Sequence, residues 1–297
     1  MNIFISGGTG FIGSHSARRL IEAGHQVRLL RDKGAGHAKD LASEQTSFVD
    51  GNILEPGSLS GLMEGCDAAI NFVGIIMEVG QATFERIHVQ GLRNLVEEAK
   101  RSDVKRFIHI SALGTSDRPA SEYFRTKWEG EQLLKNSGVD YVIFRPSLVF
   151  GPEDKFFNML KPMMHLPVIP VPGDGKTKFQ PIYVEDIASC MVQAVEKEEP
   201  LNGIWEIGGS KQFTYDEMLD RMADVLDKAH RLKLHIPMPL MMVVARVVEK
   251  LFKKPFVTRD QLKMLSLDNA TSQNAITEVF GIQPHRFSET LRKYWKQ

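Results

Sequence analysis

Cysteine is scarce in these 297 residues: Cys66 and Cys190 stand alone, in neither a CxxC pair nor a ligand cluster. That excludes a disulfide-stapled scaffold and a thiolate metal centre, so two reduced buried thiols and no metal site are expected. Net charge is missing too. Lys and Arg total 37 and so do Asp and Glu, leaving no basic field for nucleic acid and no acidic tail. No apolar run approaches the roughly 18 residues that span a bilayer. The first strand begins at residue 2, so no signal peptide is expected. A small molecule is the expected partner and the cytoplasm the expected location.

What the chain does have is glycine concentrated in one place. Ser6-Gly7-Gly8-Thr9-Gly10-Phe11-Ile12-Gly13 follows a short apolar strand at 2–5 and opens an amphipathic helix at 11–23, closed by Gly24. At a strand-to-helix turn each glycine has a task. Gly7 permits the tight turn, Gly10 lets the backbone approach a pyrophosphate, and Gly13 allows close helix–strand packing. The helix N-terminus adds free N–H groups and a positive dipole end. Gly7, Thr9, Gly10, Phe11, Ile12 and Gly13 are therefore the candidate cradle for a dinucleotide.

Strands at 26–31, 46–50, 67–74, 105–112 and 141–145 alternate with helices at 83–101 and 123–136, and Leu59, Leu62 and Met63 mark a shorter helix. The alternation predicts an α/β fold, a doubly wound parallel Rossmann sheet, with residues 1–150 as its dinucleotide-binding part. At the end of the second strand a carboxylate suits a ribose 2′-hydroxyl and an arginine suits a 2′-phosphate. Arg31 sits there, so NADP is expected over NAD, although Asp32 is its neighbour. From residue 151 prolines break the pattern, predicting a smaller α+β substrate region over 151–297 with helices at 184–196 and 214–228. A strand at 203–207 is expected to return the 184–208 segment to the main sheet. Residues 237–254 combine Leu240, Val243, Val244, Val247, Val248, Leu251 and Phe252 with Arg246, Lys250, Lys253 and Lys254. We read this helix as a lid or core element over a substrate cleft, in preference to a basic amphipathic helix at a membrane surface. The loop Ile75-Ile76-Met77 and the methionines of that helix hint at a hydrophobic substrate.

Tyr123 and Lys127, four apart in a helical pattern, share one helix face. Ser111 ends strand five, where the crevice of an open parallel sheet lies, so the three can converge. A phenol titrating near 10 needs about 4 kcal/mol of help to act at neutral pH, which an ammonium and an oxidised nicotinamide could supply. A phenol so assisted could move a proton at neutral pH.

These motifs, with His109-Ile110-Ser111-Ala112-Leu113-Gly114, the run Arg145-Pro146-Ser147-Leu148-Val149-Phe150-Gly151-Pro152 and Gln180-Pro181-Ile182-Tyr183-Val184-Glu185-Asp186, resemble the extended and atypical short-chain dehydrogenase/reductase superfamily. The likeness reaches to about Gly209. It is strongest to the branch containing the Rossmann-fold accessory subunit of respiratory complex I, proteins labelled nucleoside-diphosphate-sugar epimerases, and others linked to coenzyme Q. The resemblance implies an oxidoreductase or epimerase in which Tyr123 is the acid–base, Lys127 binds the nicotinamide ribose and Ser111 orients the substrate oxygen. It also implies that Pro146 and Ser147 border the nicotinamide, Val73 and Gly74 the adenosine-side ribose, and Asn52 and Ile53 the adenine. A nucleotide sugar becomes a possible substrate, and a homodimer through helices 83–101 and 123–136 a possible assembly. One position departs: His88 stands where relatives carry a supporting Asn, which leaves a non-catalytic, NADPH-holding structural, assembly or redox-sensing protein as the alternative.

Overall fold

The strands that position the glycine turn are short and apolar, and each is followed by a helix that packs back onto the sheet. The structure, a computed structural model, describes residues 1–32, 39–197, 201–253 and 255–296. In chain order its first half runs β1 (Asn2–Ser6), α1 (Phe11–Glu22), β2 (Gln26–Arg31), β3 (Thr46–Asp50), α2 (Pro56–Leu59), β4 (Ala68–Asn71), α3 (Leu92–Arg101), β5 (Arg106–Ile110), α4 (Glu122–Lys135) and β6 (Asp140–Pro146). There follow β7 (Val149–Phe150), α5 (Phe156–Leu160), β8 (Val168–Pro172), β9 (Lys178–Phe179), β10 (Ile182–Tyr183), α6 (Val184–Glu196), β11 (Gly203–Ile207), β12 (Phe213–Thr214) and α7 (Tyr215–Val225). The chain closes with β13 (Leu232–Ile236), α8 (Met238–Leu251), α9 (Arg259–Leu265), α10 (Ala275–Glu278) and α11 (Phe287–Trp295).

Seven strands form one sheet in the order β11-β6-β5-β4-β1-β2-β3. Every pairing in it is parallel. This is the doubly wound α/β arrangement, and its order reverses between β1 and β4, directly beyond the glycine turn. One face buries Ile3, Ile5, Leu29, Ile108 and Phe144 under α1 and α6. The other buries Phe4, Phe107 and Ile143 with Leu92, Leu95 and Val96 of α3. Residues beyond 151 supply the outer strand β11, which pairs with β6 from Gly203↔Val142 to Ile207↔Pro146.

Several elements differ from the sequence reading. The short helix ends at Leu59, because Gly61 and Gly65 take φ of +77° and +74° and the chain turns instead. The helix expected over 83–101 begins with a π-helical stretch at Glu85–Gly91 before α3. Such wide turns concentrate at functional sites, and this one carries His88. Helix α8 is also no core element: Ala245 and Val248 are its buried residues, while Leu240, Val243, Val244, Val247 and Leu251 face outward. Lys254 lies outside the described residues. Among the described residues no helix is long and apolar enough to cross a membrane.

Candidate active site

The glycine turn is built to a tolerance that admits no side chain. A Cβ on Gly13 would lie 2.1 Å from the Gly7 carbonyl oxygen, and one on Gly8 would lie 2.5 Å from Leu29 Cδ2. Gly7 takes φ +73°, and a Cβ there would lie 2.9 Å from the backbone nitrogen of Val73, two residues past β4. Gly10 N donates to Gly7 O at 3.0 Å, closing the turn. Helix α1 then starts at Gly10 with no side-chain cap and no acid in its first turn. Its leading N–H groups are thus left to a ligand, with Thr9 and Gly10 exposed and Phe11 and Ile12 half-buried. These features fit a dinucleotide's pyrophosphate: Gly7, Thr9, Gly10, Phe11, Ile12 and Gly13 would hold it.

At the adenosine end, Arg31 and Asp50 sit opposite each other in the β2–β3 register, and Arg31 Nε donates to Asp50 Oδ1 at 2.8 Å. The guanidinium also lies 5.9 Å from the Phe48 ring centroid. A cation and a carboxylate therefore share the position where sequence reasoning placed a cation. Asn52 shapes its own turn, accepting from Leu54 N at 2.8 Å, and Ile53 wedges against Gly91.

The candidate catalytic groups come from the ends of β4 and β5 and from α4. Lys127 is buried, donates to the Ile110 carbonyl at 3.0 Å, and lies beside Gly74, whose added Cβ would be 3.3 Å from Nζ. Burial lowers its pKa to about 8. Ser111, also buried, shares a hydrogen bond with Thr115 at 3.4 Å. Tyr123 packs with Phe84 and Phe124, against Ile75, Ala112, Met264 and Leu267. Its hydroxyl makes no hydrogen bond among the described residues, and burial pushes the phenol up to about 12. The sequence reading expects Lys127 together with an oxidised nicotinamide to bring this phenol down; burial acts in the opposite direction, and Lys127 gives one of its three N–H donors to the Ile110 carbonyl.

His88 is a clip. Ile75 N–H donates to its Nε2 at 3.1 Å, which puts the ring proton on Nδ1, and Nδ1 donates to Thr126 Oγ1 at 3.0 Å. The Thr126 hydroxyl in turn donates to the Glu122 and Tyr123 carbonyls at 3.0 and 3.1 Å. Both ring nitrogens are thus committed, the ring stacks on Phe84, and burial, reinforced by the Lys127 charge, lowers its pKa to about 2. A neutral imidazole bonded through both ring nitrogens holds the Gly74–Ile75 loop on α4.

Sequence reasoning missed three groups. Ser6 Oγ donates to Asn71 Oδ1 at 2.8 Å, Val73 N donates to the same oxygen at 3.0 Å, and Asn71 Nδ2 donates to His109 Nδ1 at 3.2 Å. The signal was available, since Asn71 and His109 are polar residues in otherwise apolar strands. Asp260 gave none: it accepts from Glu122 N at 2.9 Å and Tyr123 N at 3.1 Å, capping α4 from far along the chain. Pro146 ends β6, but the Ser147 hydroxyl is taken up by Asn269 at 2.6 and 2.9 Å and by Gln180 N at 3.2 Å. It ties down the C-terminal segment.

Comparison with known proteins gives the chain's family and fold relatives. A model of the NAD dependent epimerase/dehydratase family matches residues 3–208. The Arabidopsis thaliana protein named NADH dehydrogenase (ubiquinone) 1 alpha subcomplex subunit 9, mitochondrial, is 30% identical over 303 residues, 95% of this chain and 74% of that one. The ceramide reductase of Caulobacter vibrioides is 27% identical over 252 residues, 83% of this chain and 77% of that one. The structure of UDP-glucuronic acid 4-epimerase from Bacillus cereus, in complex with UDP-glucuronic acid and NAD, superposes with a TM-score of 0.76 at 22% identity, covering 100% of this chain and 99% of that one. That last likeness is one of fold.

Proposed function

The chain belongs to the NAD dependent epimerase/dehydratase family, and from that premise we propose that it is an NAD(P)-dependent oxidoreductase or epimerase acting at a carbonyl or alcohol centre. The observation that carries this reading is the gathering of Ser111, Tyr123 and Lys127 where β4 and β5 end, beside an uncapped glycine turn. A bound nicotinamide supplies or accepts the hydride. The chain's own residues do the rest: Tyr123 moves the proton at the substrate oxygen, Ser111 orients that oxygen, and Lys127 provides positive charge beside Gly74. The wall around the phenol, Phe84, Phe124, Ile75, Met264 and Leu267, is apolar. It favours an apolar carbonyl over a nucleotide sugar, and the relative named a ceramide reductase is consistent with that class. Residues 151–297 contribute Met264 and Leu267 to this wall, as a substrate region would.

NADP(H) is the form we favour, because Arg31 spends Nε on Asp50 while its Nη groups make no hydrogen bond among the described residues. The groove between the π-helical turn with α3 and α4, lined by Val89, Arg93, Trp128 and Gln132, supports a homodimer through these helices. Light scattering of the full chain tests it.

The decisive assay follows reduced-nicotinamide absorbance with a carbonyl panel spanning long-chain ketones, quinones and nucleotide sugars. The expected result is turnover of an apolar member that falls about 10²–10⁴-fold in Tyr123→Phe, with Arg31→Ala weakening NADPH more than NADH. A dinucleotide that binds tightly, reacts with nothing and is indifferent to Tyr123→Phe overturns the enzyme reading. It would establish the second one, a chain that holds the dinucleotide as part of an assembly, which the committed His88 and the raised Tyr123 phenol favour.

A further inference from the structure

Helix α8 turns an apolar stripe toward solvent. Leu240, Val244, Val247 and Leu251 recur at spacings of four, three and four, with Val243 beside them; all five are exposed, Leu251 at 72%. The buried residues Ala245 and Val248 lie on a different side, so the stripe is not the core-facing face caught half open. Phe252 and Phe256, exposed at 54% and 69%, extend it past the helix, and Leu232 and Leu234 are exposed on the strand leading in. So many large apolar side chains on one short segment mark an interaction surface.

Charge identifies what the surface meets. Arg246 and Lys250, four apart and exposed, flank the apolar stripe, and exposed Lys253 follows just past the helix end. No ion pair is made by any of the three among the described residues. The helix's one carboxylate, Glu249, is already bound to Arg259 at 2.7 Å. A helix about 21 Å long, too short to span a bilayer, with apolar residues on one face and unpaired cations along its edge, is built to lie in a lipid interface. We propose that α8 docks this protein on a membrane surface bearing anionic headgroups. The docked helix is joined to the candidate site: Arg259, bound to Glu249, opens α9, the next residue, Asp260, caps α4 at Tyr123, and Met264 packs on the cluster of Phe84, Tyr123 and Phe124. An apolar substrate delivered from the bilayer would thus arrive beside its reactive wall. The docking itself does not depend on turnover.

The test is flotation of the full chain with vesicles of phosphatidylcholine alone or mixed with phosphatidylglycerol. The wild type is expected to float with the mixed vesicles and to release as salt is raised. Val244→Glu with Val247→Glu should lower partitioning about a hundredfold, tenfold for each apolar side chain withdrawn. Lys250→Gln with Lys253→Gln should abolish the preference for the anionic vesicles. All four positions are exposed, so an unchanged circular dichroism spectrum and unchanged NADPH binding verify that the variants fold. The proposal is overturned if the wild type stays in solution with both vesicles, or if the double Glu variant floats as the wild type does. It is equally overturned if light scattering finds a dimer that the Glu pair dissolves, since a second copy then covers the stripe.

Discussion

Gly13→Ala adds one methyl group where the backbone leaves none to spare. The new Cβ would lie 2.1 Å from Gly7 O, 2.8 Å from Gly7 C and 2.9 Å from Gly8 Cα. All three are main-chain atoms, so no side chain can rotate aside. The turn is hemmed on another side as well, since a Cβ on Gly7 would lie 2.9 Å from Val73 N. Overpacking of this kind costs about 1–3 kcal/mol, a drop of about 2–4 °C in Tm per kcal/mol. Relief must move Gly7 and with it the N–H groups at the start of α1. Losing one charge-assisted hydrogen bond to a pyrophosphate is worth about 1.5–3 kcal/mol, about 10- to 100-fold in affinity. Gly24→Ala is the control. Gly24 closes the same helix at φ +89° with nothing within 4 Å of an added Cβ, so Ala there costs about 1–2 kcal/mol of backbone strain without touching the turn. Thermal unfolding should therefore shift in both variants, and NADPH titration by fluorescence in Gly13→Ala alone. Wild-type affinity in Gly13→Ala would refute the assignment of this turn as the cofactor cradle.

Two stability predictions accompany it. His15 lies between Glu185 Oε1 at 2.5 Å and Glu153 Oε2 at 3.0 Å, and only an imidazolium can donate to both; these bonds, Glu185's first, raise its pKa. The stabilisation is complete below the unfolded value of about 6.5 and is lost as pH rises through the higher folded value. Urea midpoints should fall over that window in the wild type and not in His15→Gln; parallel curves would dismiss the imidazolium. The fully buried Glu131 receives Arg145 Nε at 2.9 Å and Nη2 at 2.6 Å. Glu131→Ala should cost about 3–5 kcal/mol by chemical denaturation, and a loss below about 1 kcal/mol would mean that Arg145 finds water instead.

The sequence alone determined the parts whose causes are local. β2, β3, β11 and α6 have the limits that composition and periodicity predict, because apolar runs between turn residues define strands and a 3.6-residue pattern defines a helix. The glycine turn was legible for the same reason, since eight consecutive residues carry both its conformation and its free N–H groups. The tertiary structure decided the electrostatics and the cover. Nothing near Tyr123 in the chain says that Met264 and Leu267 will dry it, or that Asp260 will cap its helix. The burial that pushes the phenol up to about 12 was therefore not legible in the segment that carries it. His88 became a clip through partners at Ile75 and Thr126, and α8 proved exposed because no later segment covers its apolar stripe among the described residues. Desolvation depends on what arrives from elsewhere in the chain, and a pattern of residue types records only what each segment is able to bury.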